Sequence, residues 1–187
     1  SYHTAMRLIR AWLISLLGVL LLGCNASMPP SSSRTSQEGV PLSIQVPAGQ
    51  VPVMPAHYQG VLVYTCTVKN NLYDWMVTET QGAVDFGEWG YGRHEGDAYT
   101  WRLGDSLVHA DVIATWSGGD RTDAPWELYK VHAATGTTPL TKATYIQRLD
   151  TSGGGYPVVP CTRERRNVQD FIRVQGYFML WTSATAR

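Results

Sequence analysis

The chain predicts a mostly β domain, an antiparallel β-sandwich or a partly closed β-barrel, carrying one disulfide. Three observations predict it. Beyond Val40 the apolar residues recur with a period of two, the spacing of a half-buried strand. Eighteen glycines and ten prolines suit many short strands joined by tight turns. No segment carries the three-and-four spacing of a convincing amphipathic helix.

Four runs carry the strand pattern. Gly60 to Val68 (GVLVYTCTV) is β-branched and aromatic. Leu107 to Trp116 alternates, with Val108, Ala110, Val112, Ala114 and Trp116 expected on one face and Leu107, His109, Asp111, Ile113 and Thr115 on the other. Thr144 to Leu149 puts Tyr145 and Gln147 on one side and Ile146 and Arg148 on the other. In Phe171 to Thr182, Ile172, Val174, Phe178 and Leu180 share a side, with Gly176 read as a bulge. Turn clusters separate the runs: Lys69-Asn70-Asn71, Ser117-Gly118-Gly119-Asp120 and Ser152-Gly153-Gly154-Gly155. Asp85 to Trp101 packs aromatics, glycines and charges together and reads as a hairpin whose aromatics pack on the sheet.

The residues before the domain read as an address. Residues 1–5 precede a plausible start at Met6. From there Arg7 and Arg10 form a positive end and Ala11 to Leu22 an apolar run, the pattern of a signal peptide over 6–23. The run is shorter than the roughly 20 apolar residues that span a bilayer as a helix. It ends in Leu21-Leu22-Gly23-Cys24, which resembles the lipobox of bacterial lipoproteins. That resemblance implies cleavage before Cys24 and acylation of its thiol by palmitate-type chains. Asn25, in place of the aspartate that often retains lipoproteins at the inner membrane, points to the periplasmic face of the outer membrane. The stretch to Gly39 is rich in Ser and Pro, cannot bury enough surface to offset its ordering entropy, and reads as a tether over 24–39. A single domain is expected over 40–187.

Charge narrows the partners. Fifteen basic and fifteen acidic side chains cancel across 187 residues, and loss of Arg7 and Arg10 with the leader tips the mature part slightly acidic. Only Arg163, Arg165 and Arg166 cluster, beside Glu164, so no nucleic-acid surface is expected. With Cys24 acylated, Cys66 and Cys161 remain, and export to an oxidising compartment makes their pairing the default.

Signatures of catalysis are sparse. The chain has no Gly-x-Ser-x-Gly elbow, phosphate-binding Gly-rich loop, dinucleotide fingerprint or His-Glu-x-x-His pair. His94 with Glu95 or Asp97 is an acid/base candidate, and Trp89, Tyr91 and Trp101 are candidates to stack on a sugar or ring. His109 and Asp111 share a strand face and would need His94 or His132 to complete a metal site; a solvated strand face is the favoured reading. Asp120-Arg121-Thr122-Asp123 lacks the ligand density of a calcium loop and reads as a turn. No metal or cofactor is expected.

Several stretches, in order along the chain, are similar to the domain of unknown function 3455 family of exported bacterial and fungal proteins. They are Val46-Pro47-Ala48-Gly49, Val63-Tyr64-Thr65-Cys66, Gly92-Arg93-His94 with Trp101, Asp105-Ser106, and Pro125-Trp126-Glu127-Leu128. The most specific is Thr144-Tyr145-Ile146-Gln147-Arg148-Leu149-Asp150-Thr151, followed by Gly153-Gly154 and Cys161. The resemblance spans nearly all of Val40 to Trp181. It implies an exported domain with Cys66 paired to Cys161, and it carries no assigned activity. Two departures stand out: Glu127 replaces an apolar residue, and Asp105-Ser106 lacks the glycine of an Asp-Gly-Ser turn.

The leading functional expectation is a non-enzymatic envelope domain that binds a small molecule, glycan or partner protein. His94, Trp101, Tyr145, Gln147 and Arg148 form its candidate surface, because they lie in the resembling motifs. A hydrolase or lyase built on His94 is the first alternative, and a purely structural envelope protein the second.

Overall fold

The computed structural model describes residues 37–96, 99–118 and 121–186. The leader, the acylation site read at Cys24, tether residues 25–36, Asp97 and Asp120 lie outside them. Among the described residues no helix is long and apolar enough to cross a membrane.

Eight strands follow one another: β1 (Gln50–Lys69), β2 (Leu72–Asp85), β3 (Tyr91–Gly96), β4 (Thr100–Leu103), β5 (Ser106–Trp116), β6 (Trp126–Thr135), β7 (Tyr145–Gly153) and β8 (Gln169–Ser183). Each pairs antiparallel with its successor, and β8 returns to β1. Of the two architectures expected, the sheet takes the barrel, and it closes fully. Closure gives every strand a neighbour on both sides over part of its length, so no whole strand is left as a free edge. The disulfide joins Cys66 of β1 to Cys161 in the segment between β7 and β8.

Local chemistry explains most of the course. Asn70 and Asn71, at φ +50° and +64°, make the two-residue left-handed turn that suits the twist of a hairpin. Pro52 and Pro55 sit in β1 before its pairing with β2 begins at His57, where one side of the strand is free of ladder bonds. Alternation along β1 sends Ala56, Tyr58, Leu62, Tyr64 and Cys66 into the barrel. Phe86, after β2, and Leu140, in the turn before β7, join Leu103 and Val84 in the apolar interior. An eight-stranded barrel has room for its own side chains or for one small ligand.

The ladders differ from the predicted pattern at two bulges. Ile113 is an extra residue in the β5–β6 ladder, so Val112 packs inside while Ala114 and Trp116 join an apolar cluster outside. In β7–β8 the slip lies in β7 between Leu149 and Ser152, with Asp150 at φ +50°, and not at Gly176. Gly176 instead keeps its β1 register, and a Cβ there would meet the Leu149 carbonyl at 2.9 Å.

The domain begins earlier than composition indicates. Gln37, read as tether, already holds Val46: its Oε1 accepts from the Val46 amide at 2.5 Å and its Nε2 donates to the Val46 carbonyl at 3.2 Å. This N-terminal segment lies on the outer face, where Ile44 and Val46 cover Leu128, Leu149 and Trp181.

Candidate functional site: a cleft into the barrel over a buried ion pair

β3 and β4 are short, and their shortness creates the site. β2 pairs with β3 only from Thr80 to Asp85, and β5 pairs with β4 only from Ser106 to His109. Leu72 to Glu79 and Ala110 to Trp116 therefore have no strand between them, and the wall is low on that flank. A cleft of about 830 Å³ opens there. Leu62, Tyr64, Trp75, Val77, Tyr99 and Tyr156 supply its aromatic and apolar walls. Glu127 and Arg148 also line it.

Arg148 points inward from β7, opposite Glu127 of β6 and Phe178 of β8. Its Nη2 donates to Glu127 Oε2 at 2.9 Å and to the Pro125 carbonyl at 3.0 Å, and its Nε reaches that carbonyl at 3.2 Å. Tyr129, two residues along β6, donates its hydroxyl to the same Glu127 oxygen. Both charged side chains are almost wholly buried, 6% and 11% exposed. A charge buried this deeply persists only when paired and hydrogen-bonded, and this arrangement supplies both. Among the described residues none accepts from Arg148 Nη1. Burial pushes the Tyr129, Tyr64 and Tyr99 hydroxyls above their usual range, so all three are protonated at neutral pH.

Beside the pair lies an aromatic cluster. His94 stacks on Trp101, ring centroids 4.5 Å apart, and Phe178 meets His94, Tyr58 and Trp101 edge-on or tilted at 5.0, 5.1 and 5.4 Å. Trp101 in turn meets Tyr129, and Tyr129 meets Tyr99 at the cleft wall. Gly82 makes room for this cluster: a Cβ there would lie 2.2 Å from the Tyr58 ring.

The five predicted site residues divide between the two faces of the barrel. His94, Trp101 and Arg148 lie inside; Tyr145 and Gln147 lie outside, beneath the N-terminal segment. Gln147 donates to the Ile44 carbonyl at 2.7 Å and accepts from the Trp181 indole at 2.7 Å, which fastens that segment to the barrel. The single candidate surface is thus not assembled, because successive strand residues alternate faces. The same alternation separates His94 from Glu95, while Asp97, the other predicted partner, lies outside the described residues. His94 is fully buried, whereas Glu95 points outward and contacts Arg102 at 3.2 Å. Tyr91 is exposed outside while Trp101 is inside, so the predicted stacking trio does not share a face. Asp111 pairs with His132 at 3.0 Å, and His109 bonds the Thr100 hydroxyl at 3.0 Å. Among the described residues no group of three His, Cys, Asp or Glu is placed to hold a metal ion. A larger hollow of about 970 Å³ lies over β2 and β3, lined mostly by exposed side chains such as Tyr91 and Arg93, with Thr100 the buried polar residue among its lining.

Sequence reasoning missed Glu127, Tyr129, Tyr64 and Tyr99. One signal was present: Glu127 departs from the apolar residue of the resembling family, and it shares strand parity with Tyr129. Comparison of the chain with protein families, curated proteins and solved structures gives no match.

Burial lowers His94 from about 6.5 to about 3, with Arg148 nearby adding to the effect. In the unfolded chain this imidazole takes up a proton below about pH 6.5, and in the folded barrel only near pH 3. Acid therefore favours unfolding across that window, by about 1.4 kcal/mol per pH unit, and the stability is complete above it. Urea unfolding at pH 5 is expected to give a stability about 2 kcal/mol below that at pH 7. His94→Gln should lose that difference; a variant with an unchanged pH slope would show that His94 is not its source.

Proposed function

We propose that this chain is a lipid-anchored bacterial envelope protein of the domain of unknown function 3455 family whose barrel binds a small, uncharged, ring-bearing molecule without transforming it. One observation carries the binding function: an 830 Å³ cleft with aromatic walls descends to a buried, internally neutralised ion pair. Pockets of this volume, mostly apolar with a few convergent polar groups, are the usual form of small-molecule sites. The lining charges nearly balance, with Asp74, Asp123 and Glu127 against Arg121 and Arg148. Asp74 already accepts from Tyr156, and Asp123 from the Gly153 amide. The net charge of the lining is thus small, and a neutral ring meets Tyr99 at the wall and a donor at Arg148.

The hydrolase alternative loses its His94–Glu95 pair to the barrel wall, and its other carboxylate, Asp97, lies outside the described residues. A purely structural role gives no reason to leave a cleft over two buried charges.

The test uses the full chain extracted in detergent from its own membrane. Native mass spectrometry of the wild type should show a copurifying small molecule, and Val77→Trp, which fills the cleft mouth, should not. A clean wild-type spectrum, with no thermal shift by neutral cyclic compounds, would end the binding function. In the same cells, labelled palmitate should enter the wild type and not Cys24→Ser; equal labelling would end the lipid anchor.

A further inference from the structure

Three polar atoms of the aromatic cluster are buried with no hydrogen-bond partner among the described residues: Tyr58 Oη, His94 Nε2 and Trp101 Nε1. Their rings all meet Phe178, so the three residues are neighbours inside the barrel. Buried polar groups in folded proteins are nearly always satisfied, and an unpaired one loses its hydration without return. Three together define a complement.

The polarity of each atom is fixed by its chemistry. His94 Nδ1 lies 3.1 Å from the Thr100 carbonyl, which only accepts, so Nδ1 bears the hydrogen and Nε2 presents a lone pair. The Trp101 indole N–H only donates. The Tyr58 hydroxyl does either, and it stays protonated, since burial pushes it up to about 12. A guest must therefore donate one hydrogen bond and accept at least one. A carboxylate has no hydrogen for Nε2, an ammonium has no lone pair for the indole, and a hydrocarbon offers neither. A hydroxyl satisfies all three.

We propose that Tyr58, His94 and Trp101 form an internal site for a hydroxyl group, which accepts from Trp101 Nε1 and donates to His94 Nε2. Two sources share this chemistry: a trapped water, or a hydroxyl on the molecule that enters the cleft. Only the ligand source rests on the binding function proposed above. A trapped water with an empty cleft would remove that function and leave the hydroxyl site.

The test follows the Trp101 indole N–H resonance of the full chain in detergent micelles, assigned by its loss in Trp101→Phe. Phenol, benzoate and toluene are titrated as probes of matched ring and different polarity. If the ligand supplies the hydroxyl, phenol shifts the resonance and binds at least about tenfold more tightly than toluene or benzoate, and His94→Phe removes that preference. If water supplies it, no probe shifts the resonance, but the indole hydrogen shows a cross-relaxation peak to a long-lived water. Neither effect, or toluene binding as well as phenol, overturns the site. Both decisive readings come from the wild type, so poor folding of a variant does not blunt them.

Discussion

Arg148→Met is expected to lower folding stability by about 3–5 kcal/mol, because it strands the Glu127 carboxylate inside the barrel. The loss exceeds that of a surface pair, which is worth about 0–1 kcal/mol, since water cannot replace the missing partner. It also frees the Pro125 carbonyl, which accepts two of the guanidinium's hydrogens. Glu127→Gln should cost less than Arg148→Met, because an amide still accepts from Tyr129 and Arg148 and carries no charge to bury. The double variant Glu127→Leu/Arg148→Met should regain most of the loss, since apolar residues of similar size often replace a buried pair at little cost. Urea unfolding of the three variants decides the matter. An Arg148→Met loss below about 1 kcal/mol would mean that water reaches the pair freely and that the cleft floor is not the low-dielectric site described above. Recovery in the double variant would show that the pair is kept for what it presents to the cleft and not for stability.

The second large effect is expected at the disulfide. Removing it with Cys66→Ala/Cys161→Ala should cost about 4–5 kcal/mol on the chain-entropy account, because it releases a loop that spans a sequence separation of 95. The effect should extend to the cleft. The segment after β7 is fastened at the mouth by Cys161, by the Trp75 indole donating to the Val159 carbonyl at 2.7 Å, and by Tyr156 donating to the Trp75 carbonyl at 3.0 Å. Its return into β8 is fixed by Asn167 and Val168, each bonded to the Cys66 backbone. Unfolding measured by Trp fluorescence should shift accordingly, and ligand affinity should fall more than in variants of equal stability elsewhere. A loss under about 2 kcal/mol would show that the unlinked chain keeps residual order in the unfolded state.

The strand runs within β1, β5, β7 and β8 were legible because alternating apolar side chains mark a half-buried strand whatever lies opposite. β2 and β6 were harder to see. In β2 a register slip between Val77 and Glu79 breaks the alternation, and Thr80 and Gly82 face inward without an apolar signature. In β6 the inward positions include Glu127, which reads as an outward residue until Arg148 is found beside it. The same limit governs the site. Sequence placed Ile146 and Arg148 on one side and Tyr145 and Gln147 on the other, which the barrel bears out. It did not show that the first side is the interior.

By itself the sequence determined the β class, the alternation of the main strands, and two cysteines free to pair. These are local or nearly local properties, set by period, turn chemistry and composition. The tertiary structure decided the rest. Closure of β8 onto β1 made one face of every strand an interior, which turned Glu127, Tyr129 and Arg148 into a buried hydrogen-bonded network. A bulge at Ile113 moved Ala114 and Trp116 to the opposite face. The shortness of β3 and β4 opened the flank that makes the cleft. Each depends on which strands become neighbours and in what register, a sum over long-range pairings that no single segment encodes.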